Sequence, residues 1–231
     1  MSVSDSFSRF ITYYQRHGLE ATICRASLAA RRRLFSGRMV VFYCDLTKQL
    51  RYAINIPVSL RVERLRNCAE VSEYDLQRIT SFWNPKLARR NLQERFKKGA
   101  SLWLIKLDDE IAGYSWTLRG ATIAPYYFPL GPDDVQIFDF YAFPKYRGRA
   151  VLWFLVVHIL RCLAAEGGSR AFGDVAEWNQ PSLSFYRMLP FRRLGLVRSF
   201  RVLGRSYSSW SESQLAERVG ETQIRPASCW K

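Results

Sequence analysis

Residues 140–152 read FYAFPKYRGRAVL and decide how this chain folds. The aromatic and apolar residues before Pro144 predict a β-strand, and the apolar residues after Gly148 predict a helix. The first turn of a helix leaves backbone N–H groups unpaired at the positive end of the helix dipole. Gly148 permits close backbone approach, and Arg147 and Arg149 add positive charge. The stretch therefore predicts an anion site suited to a pyrophosphate, unless it is a plain strand-to-helix turn with exposed arginines.

Outward from this stretch, residues 58–204 alternate between strand and helix patterns. The predicted order β-α-α-β-β-β-α-β-α-β-β is typical of an α/β fold around one mixed sheet. The predicted strands are Ser59–Leu65, Ser101–Lys106, Ile111–Thr117, Val135–Phe143, Ala171–Val175 and two short strands within Phe191–Leu203. The predicted helices are Ser72–Phe82, Pro85–Lys98, Arg149–Glu166 and Gln180–Met188.

A second informative stretch, residues 179–191, reads NQPSLSFYRMLPF and follows a predicted strand. Together the two stretches resemble motifs A and B of the GNAT superfamily of N-acetyltransferases. In that family motif A is a strand ending in hydrophobic-x-Pro, then Tyr-Arg-Gly-x-Gly-x-Gly/Ala and a helix. Motif B reads Asn-x-x-(Ala/Ser)-x-x-hydrophobic-Tyr-x-x-x-Gly-Phe. The resemblance covers about residues 59–204 and implies a GNAT-like mixed sheet flanked by helices.

The resemblance also implies an activity, the movement of an acyl group from acyl-CoA to an amine by direct attack. The turn backbone would hold the pyrophosphate of acetyl-CoA, or of another acyl-CoA, as co-substrate, without a metal. The residues it implies in CoA binding are Tyr141, Ala142, Phe143, Arg147, Gly148, Arg149, Ala150, Val151 and Asn179.

Two residues of the second stretch have implied roles of their own. Asn179 is expected to cap its helix near the CoA arm, with a simple N-cap as the alternative. Tyr186 is expected to protonate the leaving thiolate, which a phenol with a pKa of about 10 can do for a thiol with a pKa near 8.5. The alternative for Tyr186 is a core tyrosine with a buried hydroxyl.

The chain departs from the family pattern at three positions. Ala150 stands for the first glycine of the motif A pair, Leu152 for the following Gly/Ala, and Pro190 for the glycine before Phe191. Leu152 is bulky where a small residue usually faces the cofactor. Three alternatives stay open: a slightly displaced CoA arm, a donor such as acyl carrier protein or aminoacyl-tRNA, or a catalytically degenerate binding module.

An attacking amine must be neutral, so a carboxylate or a water chain is expected to receive its proton. Asp139 is the first candidate, because its place between Phe138 and Phe140 predicts partial burial and a raised pKa. Asp133 and Asp134 are the other candidates, and a solvent-edge charge is the alternative for Asp139. From the family resemblance, a backbone N–H around residues 141–143 is expected to meet the oxyanion.

The acceptor pocket is expected opposite the CoA arm. Its predicted lining consists of four aromatic residues, Tyr114, Trp116, Tyr126 and Tyr127. Flat aromatic rings suit the face of a sugar or an apolar chain, so an amino sugar of surface polysaccharide is the expected small-molecule acceptor. The alternative is that these rings cover an apolar face of the sheet.

Composition narrows the remaining function classes. Hydrophobic residues make up 48% of the 231 residues, which excludes wholesale disorder. Five cysteines without a CxxC pair argue against a zinc ribbon or a disulfide framework and favour a reducing, cytoplasmic setting. Two histidines nearly exclude a His-rich metal site. The longest apolar stretch, Ala150–Leu160, is shorter than the roughly 20 residues of a membrane span.

The net charge of +15 indicates an anionic partner. Nucleic acid is not favoured, because no helix-turn-helix, RNP or zinc-finger pattern is present. The charge is concentrated in residues 1–67, where 12 Lys+Arg and 4 Asp+Glu leave an excess of 8. Within residues 1–57, the aromatic residues at 7, 10 and 14 and the run Arg31-Arg32-Arg33 predict peripheral contact with the inner face of an anionic membrane, or docking on the catalytic domain. A homodimer is left open.

The patterns divide the chain into three regions. Residues 1–57 form a basic N-terminal helical and strand extension, with predicted helices over 7–14 and 19–35 and predicted strands Met39–Tyr43 and Tyr52–Ile56. Residues 58–204 form the GNAT-like acyltransferase domain, and 205–231 a loosely attached polar tail.

Overall fold

The computed structural model of the chain describes residues 22–23, 38–48, 59–81, 85–123, 126–148, 150–202 and 205–213. These residues contain eight strands of one sheet. They are β1 (Arg38–Asp45), β2 (Leu60–Leu65), β3 (Ser101–Leu107), β4 (Glu110–Arg119), β5 (Asp134–Ala142), β6 (Arg170–Ala176), β7 (Arg192–Val202) and β8 (Arg205–Ser213). The α-helices are α1 (Glu73–Thr80), α2 (Pro85–Lys97), α3 (Val151–Ala165) and α4 (Gln180–Arg187).

The strands lie in the order β2-β3-β4-β5-β6-β1-β7-β8. The pair β5 and β6 is parallel, and every other neighbouring pair is antiparallel. A parallel pair needs a long crossover, which α3 supplies between these two strands. The sheet is therefore mixed and flanked by helices, which confirms the predicted α/β, GNAT-like fold class.

Local sequence explains where the predicted helices begin. Ser72 precedes α1, and its Oγ accepts a hydrogen bond from the Asp75 N–H at 3.1 Å. Pro85 opens α2, where the missing N–H costs nothing. Between β3 and β4, Asp108 and Asp109 both have positive φ, as a tight hairpin requires.

The C-terminal part of the sheet differs from its prediction. Two short strands were expected within Phe191–Leu203, but Arg192–Val202 is one strand, and the expectation is wrong there. Arg205–Ser213 is not a loose tail, because it pairs with β7 along its whole length from Val202↔Arg205 to Gly195↔Ser213. Its many serines hid the strand, since polar residues suit an edge strand with a solvated face. The division of the chain into three regions stays a prediction.

The predicted strand Met39–Tyr43 is confirmed as part of β1, which lies between β6 and β7. The other elements predicted before residue 58 lie outside the described residues, residues 22 and 23 excepted. Since β1 pairs with both of its neighbours, this segment belongs to the sheet that carries the site.

Helices cover both faces of the sheet. On one, Trp103 of β3 packs against His158 of α3 with ring centroids 6.2 Å apart. On the other, Trp116 of β4 packs edge-on against Phe96 of α2 at 5.0 Å. We call these the α3 face and the α2 face. No described helix is long and apolar enough to cross a membrane.

The α2 face continues across β6, β1 and β7. Its core there is a separate cluster of Val41, Tyr43, Phe172, Leu194 and Val197. The segment 126–130 packs over this cluster, and Phe128 meets Phe172 edge-on at 5.2 Å. The connection between β4 and β5 therefore lies over the half of the α2 face that the helices leave uncovered.

Candidate functional site

The parallel pair separates part-way along its length. β5 and β6 are in register only from Asp134↔Arg170 to Gln136↔Phe172, whereas β5 stays paired with β4 as far as Ala142↔Gly113. The separation leaves an opening in the sheet between the later residues of β5 and those of β6. We call it the β5–β6 opening.

A β-bulge in β5 accompanies the opening. Phe138 pairs with Trp116 and Tyr141 with Tyr114, so two residues of β5 lie opposite Ser115 alone. Asp139, one of these two residues, has φ +53°, a left-handed conformation that non-glycine residues rarely adopt. A bulge bends its strand, so it helps to turn β5 away from β6.

A backbone N–H group faces the opening near the end of β5. The Phe143 N–H donates to the Ala112 carbonyl at 3.0 Å and is therefore already used by β4. Because successive N–H groups of a strand point in opposite directions, the Ala142 N–H points away from β4. Of the residues 141–143 expected to meet an oxyanion, Ala142 is the one whose N–H faces the opening.

The turn after β5 is held in place by hydrogen bonds to Glu110 of β4. Pro144–Tyr146 form one turn of 3₁₀-helix, and Lys145 and Tyr146 each donate to one Glu110 oxygen at 2.7 Å. Gly148 has φ +76°, and a Cβ there would meet no atom within 4 Å. The glycine is therefore required by its backbone angle and not by crowding, which refines the expectation of close approach.

The N-terminus of α3 is uncapped. Ala150 is at the N-cap and provides no side-chain acceptor, and the Phe154 N–H makes the first helical bond to its carbonyl at 3.0 Å. The N–H groups of 151 and 152 thus have no partner within the helix. The exposed Arg147 lies beside them, with its Nε donating to the Ala142 carbonyl at 3.4 Å. Arg149 lies outside the described residues.

Leu152 packs onto the sheet. Its Cδ2 would lie 3.1 Å from a Cβ placed on Gly113 of β4, and the Tyr141 carbonyl oxygen would lie 2.7 Å from that Cβ. The bulk of Leu152 is therefore accommodated by the missing side chain of Gly113. The half-buried leucine belongs to the core between α3 and β4.

Tyr186 lies on α4 and is buried, with 2% of its surface exposed. Its ring stacks on Phe42 at 4.5 Å and contacts Phe140 and Phe191 at 5.6 and 5.0 Å. Its hydroxyl occupies the place that a Cβ of Gly173 would need. Burial, and then the nearby Asp174 charge, raise the pKa of Tyr186 well above 10, so the phenol is protonated at neutral pH.

Asn179 begins the same helix. Its side-chain oxygen accepts from the Ser182 N–H at 3.4 Å, which makes Asn179 the N-cap of α4 as expected. Whether the residue also contacts a CoA arm stays a prediction.

The three predicted proton acceptors are placed differently from one another. Asp139 is exposed and forms an ion pair with Arg95 at 2.5 Å, so the expected partial burial is wrong. The bulge turns its side chain outward between its aromatic neighbours. Asp134 makes two hydrogen bonds of 2.8 Å with Arg170, at the closed end of the β5–β6 pair. Asp133 pairs with Arg119 at 2.6 Å at the same end.

The four aromatic residues predicted to line an acceptor pocket fall into two pairs. Trp116 is 2% exposed beneath α2, and the buried Tyr114 stacks on Tyr141 at 5.3 Å. Both fit the alternative that the rings cover an apolar sheet face. Tyr126 and Tyr127 are half-buried and tilted against each other at 4.9 Å over the α2 face.

Asp174 of β6 was missed by the sequence reasoning. It is half-buried, and its Oδ2 accepts a hydrogen bond from the Tyr127 hydroxyl at 3.1 Å. Burial raises the pKa of Asp174, the Tyr127 bond lowers it, and the Asp139 charge raises it further, with a net rise. The available signal was a charged residue inside an apolar strand, since charged side chains are rarely buried without a partner.

Beside this carboxylate lies a second polar group. The Tyr126 hydroxyl is buried and has no hydrogen-bond partner among the described residues. Burial, followed by the Asp174 charge, raises the pKa of Tyr126 well above its ordinary value. Within the described ranges, no three His, Cys, Asp or Glu side chains are grouped to hold a metal ion.

A comparison with protein-family profiles finds a match to this chain. The sequence profile of the acetyltransferase (GNAT) family matches residues 66–191, more than half of the 231 residues. A comparison with curated proteins found no significant match.

Several solved structures are similar in fold. A GNAT-family protein from Novosphingobium aromaticivorans is 13% identical with a TM-score of 0.47, over 69% of this chain and 61% of that chain. An aminoglycoside acetyltransferase from an uncultured soil sample is 14% identical with a TM-score of 0.41, over 56% and 86%. The ribosomal-protein-S18-alanine N-acetyltransferase of Escherichia coli is 16% identical with a TM-score of 0.40, over 56% and 75%. This chain thus spans about three fifths of the Novosphingobium protein.

Proposed function

The chain belongs to the GNAT acetyltransferase family, and we propose that it moves an acyl group from acyl-CoA to a primary amine. Acetyl is the acyl group that we propose first. Family membership supports acyl transfer to an amine in general. The observation that carries the proposal for this chain is the β5–β6 opening, bounded by the uncapped end of α3 and by Tyr186.

The acyl-CoA donor would be bound mainly by backbone groups of this chain. The N–H groups of 151 and 152 at the start of α3, together with Arg147 in the preceding turn, would hold the pyrophosphate of CoA. These groups fit such an anion because the side chain of the N-cap residue, Ala150, cannot accept their hydrogen bonds. When bound, the thioester supplies an activated acyl carbon. The Ala142 N–H would donate to the oxygen that gains negative charge during attack.

Tyr186 would provide the proton for the leaving sulfur. The hydroxyl is protonated at neutral pH, which a proton donor requires. Its close packing on Phe42 and against Gly173 keeps the hydroxyl in one place. Because the hydroxyl is already in position, less conformational entropy has to be lost before the proton is transferred.

The packing of Leu152 bears on the rival functions. A bulky side chain in the turn favoured a degenerate binding module or another donor. Because Leu152 packs toward Gly113, its bulk is absorbed by the sheet. This supports acyl-CoA as donor.

For the acceptor we propose an amino sugar, supported by the flat rings of Tyr126 and Tyr127 on the α2 face. We also propose a cytoplasmic protein whose basic N-terminal region, within residues 1–57, contacts anionic membrane. Binding to vesicles of phosphatidylglycerol that weakens at high salt would support the contact. Equal binding to phosphatidylcholine vesicles would contradict it.

Release of free thiol from acetyl-CoA tests the proposed activity across a panel of primary amines that includes glucosamine. We expect amine-dependent thiol release, and at least a 100-fold lower kcat for Tyr186→Phe with acetyl-CoA affinity nearly unchanged. Tyr74→Phe is the matched control, since Tyr74 is 58% exposed on α1. Thiol release with no amine dependence would contradict the proposal, and unchanged turnover would remove Tyr186 from the mechanism.

A further inference from the structure

Asp174 is a half-buried carboxylate without a counter-charge. Among the described residues, the one hydrogen bond to its side chain comes from the Tyr127 hydroxyl at Oδ2, and no Lys, Arg or His pairs with it. The charged side chain that acts on it is Asp139, which has the same sign and is paired with Arg95. A carboxylate withdrawn from water costs free energy unless a partner compensates it.

The Tyr126 hydroxyl is a second unmet polar group at the same place. It is buried, and the part of the chain that the structure describes offers it no hydrogen-bond partner; such groups are rare in folded proteins. Its ring lies 4.9 Å from that of Tyr127, whose hydroxyl bonds Asp174, and the Asp174 charge acts on it. An ammonium group, which only donates hydrogen bonds, would satisfy both the carboxylate and this phenol oxygen.

The two groups lie on the side of the sheet away from Tyr186. Gly173 and Asp174 are consecutive in β6, so they face opposite sides of the sheet. Gly173 meets the Tyr186 hydroxyl on the α3 face, and Asp174 meets Tyr127 on the α2 face. An amine at Asp174 would therefore approach the opening from the side opposite the group that protonates sulfur.

We propose that Asp174, with the Tyr126 hydroxyl beside it, binds the ammonium group of a cationic primary amine acceptor and takes its proton. The inference rests on the proposed function, and it names for it the residue that binds the amine and takes its proton. Tyr127 is a positioning residue, because it acts by orienting the Asp174 carboxylate.

The protons and electrons of the transfer balance. The ammonium gives one proton to Asp174, which later releases it to solvent. The nitrogen lone pair then forms the bond to the acyl carbon, the carbon–sulfur bond breaks, and its electron pair goes to sulfur. Sulfur takes the Tyr186 proton, and the second proton lost by nitrogen restores that hydroxyl. The products are an amide, a thiol and one released proton.

The ammonium site can be tested without a donor. Ethylammonium chloride is titrated into the full chain while backbone amide resonances are followed by NMR, with sodium chloride at equal ionic strength as the reference. We expect saturable shifts at residues 126–127 and 173–175, and their loss in Asp174→Asn. Glu177→Gln is the matched control and retains them, since Glu177 has its own partner, Arg38, at 3.0 Å. No shifts, or equal shifts in Asp174→Asn, would overturn the proposal.

The catalytic part is tested by thiol release with the amine that the panel identifies. We expect kcat to fall at least 100-fold in Asp174→Asn, with acetyl-CoA affinity within twofold and Glu177→Gln unaffected. Full turnover in Asp174→Asn would overturn the catalytic role. If acetyl-CoA yields no thiol release at all, the proposed function fails, and the NMR titration still decides whether Asp174 binds an ammonium.

Discussion

The hydroxyl of Tyr186 lies against the α-carbon of Gly173, where any other residue would carry its Cβ. A helix and a strand are thereby in contact at the edge of the β5–β6 opening. The absence of one side chain on β6 thus fixes the position of the group expected to protonate the leaving sulfur.

Gly173→Ala is expected to displace Tyr186. An added Cβ would lie 3.0 Å from Cζ and 3.2 Å from Cε1 of that ring, besides overlapping the hydroxyl. Overpacking of this kind costs about 1–3 kcal/mol. Chemical denaturation should show this loss, and adding Tyr186→Phe should recover part of it because the hydroxyl is removed. A double variant no more stable than Gly173→Ala would contradict the packing described.

Leu152→Ala, which restores a small residue at the motif A position, is expected to lower stability and leave acetyl-CoA affinity unchanged. The half-buried leucine packs toward Gly113, and its truncation should cost about 1–2 kcal/mol. Thermal unfolding and calorimetric titration measure the two quantities. A tenfold gain in affinity for acetyl-CoA would mean that Leu152 obstructs the donor.

Tyr126→Phe is expected to stabilise the free protein by about 1 kcal/mol. The hydroxyl that it removes is buried and finds no partner within the described ranges, and such a group carries a desolvation cost with no compensating bond. Urea unfolding gives the difference in free energy, and Tyr74→Phe on the surface should change it little. Destabilisation by Tyr126→Phe would indicate that the hydroxyl has a partner in solution.

The stability of Asp174→Asn should depend on pH. Folding raises the pKa of Asp174 above its ordinary 3.8, mainly by burial, so the folded state favours the neutral acid. The contribution of this raised pKa to the free energy of unfolding is fully present below pH 3.8. It is lost as the pH rises through the pKa that Asp174 has in the folded state. The titratable groups that interact electrostatically with Asp174 are Asp139, Tyr126, Tyr127 and Tyr186.

The melting temperature of Asp174→Asn should therefore equal that of the wild type at pH 3 and exceed it at pH 7. Glu177→Gln, which loses an ion pair with Arg38, should show no such gain. A melting temperature of Asp174→Asn below the wild type at pH 7 would mean that the carboxylate has a counter-charge after all.

The sequence predicted the parts of the site whose signals are local. The strand, turn and helix of residues 140–152 are readable because each depends on neighbours in the chain, and so is the cap Asn179. Asp174 was missed because its surroundings come from residues 126–127, about 50 positions away. The outward-facing Asp139 was misjudged because nothing in its flanking residues indicates a bulge.

The strand order was equally out of reach. That β1 lies between β6 and β7 depends on pairing between segments more than 120 residues apart in the chain. Arg205–Ser213 was taken for a tail because its serines suit a solvated edge as well as a loop. Non-local pairing leaves no mark in a single short segment, whereas helix caps and turns do.

Calorimetric titration of the full chain with acetyl-CoA tests the central claim most directly, because it measures the donor site without a known acceptor. We predict one saturable site per chain with Kd below about 1 mM, the upper range of enzyme substrates. Arg147→Ala, an exposed change beside the α3 N-terminus, should weaken binding with no change in melting temperature. No saturable heat at millimolar acetyl-CoA would contradict the claim that this chain is an acyl-CoA-dependent transferase.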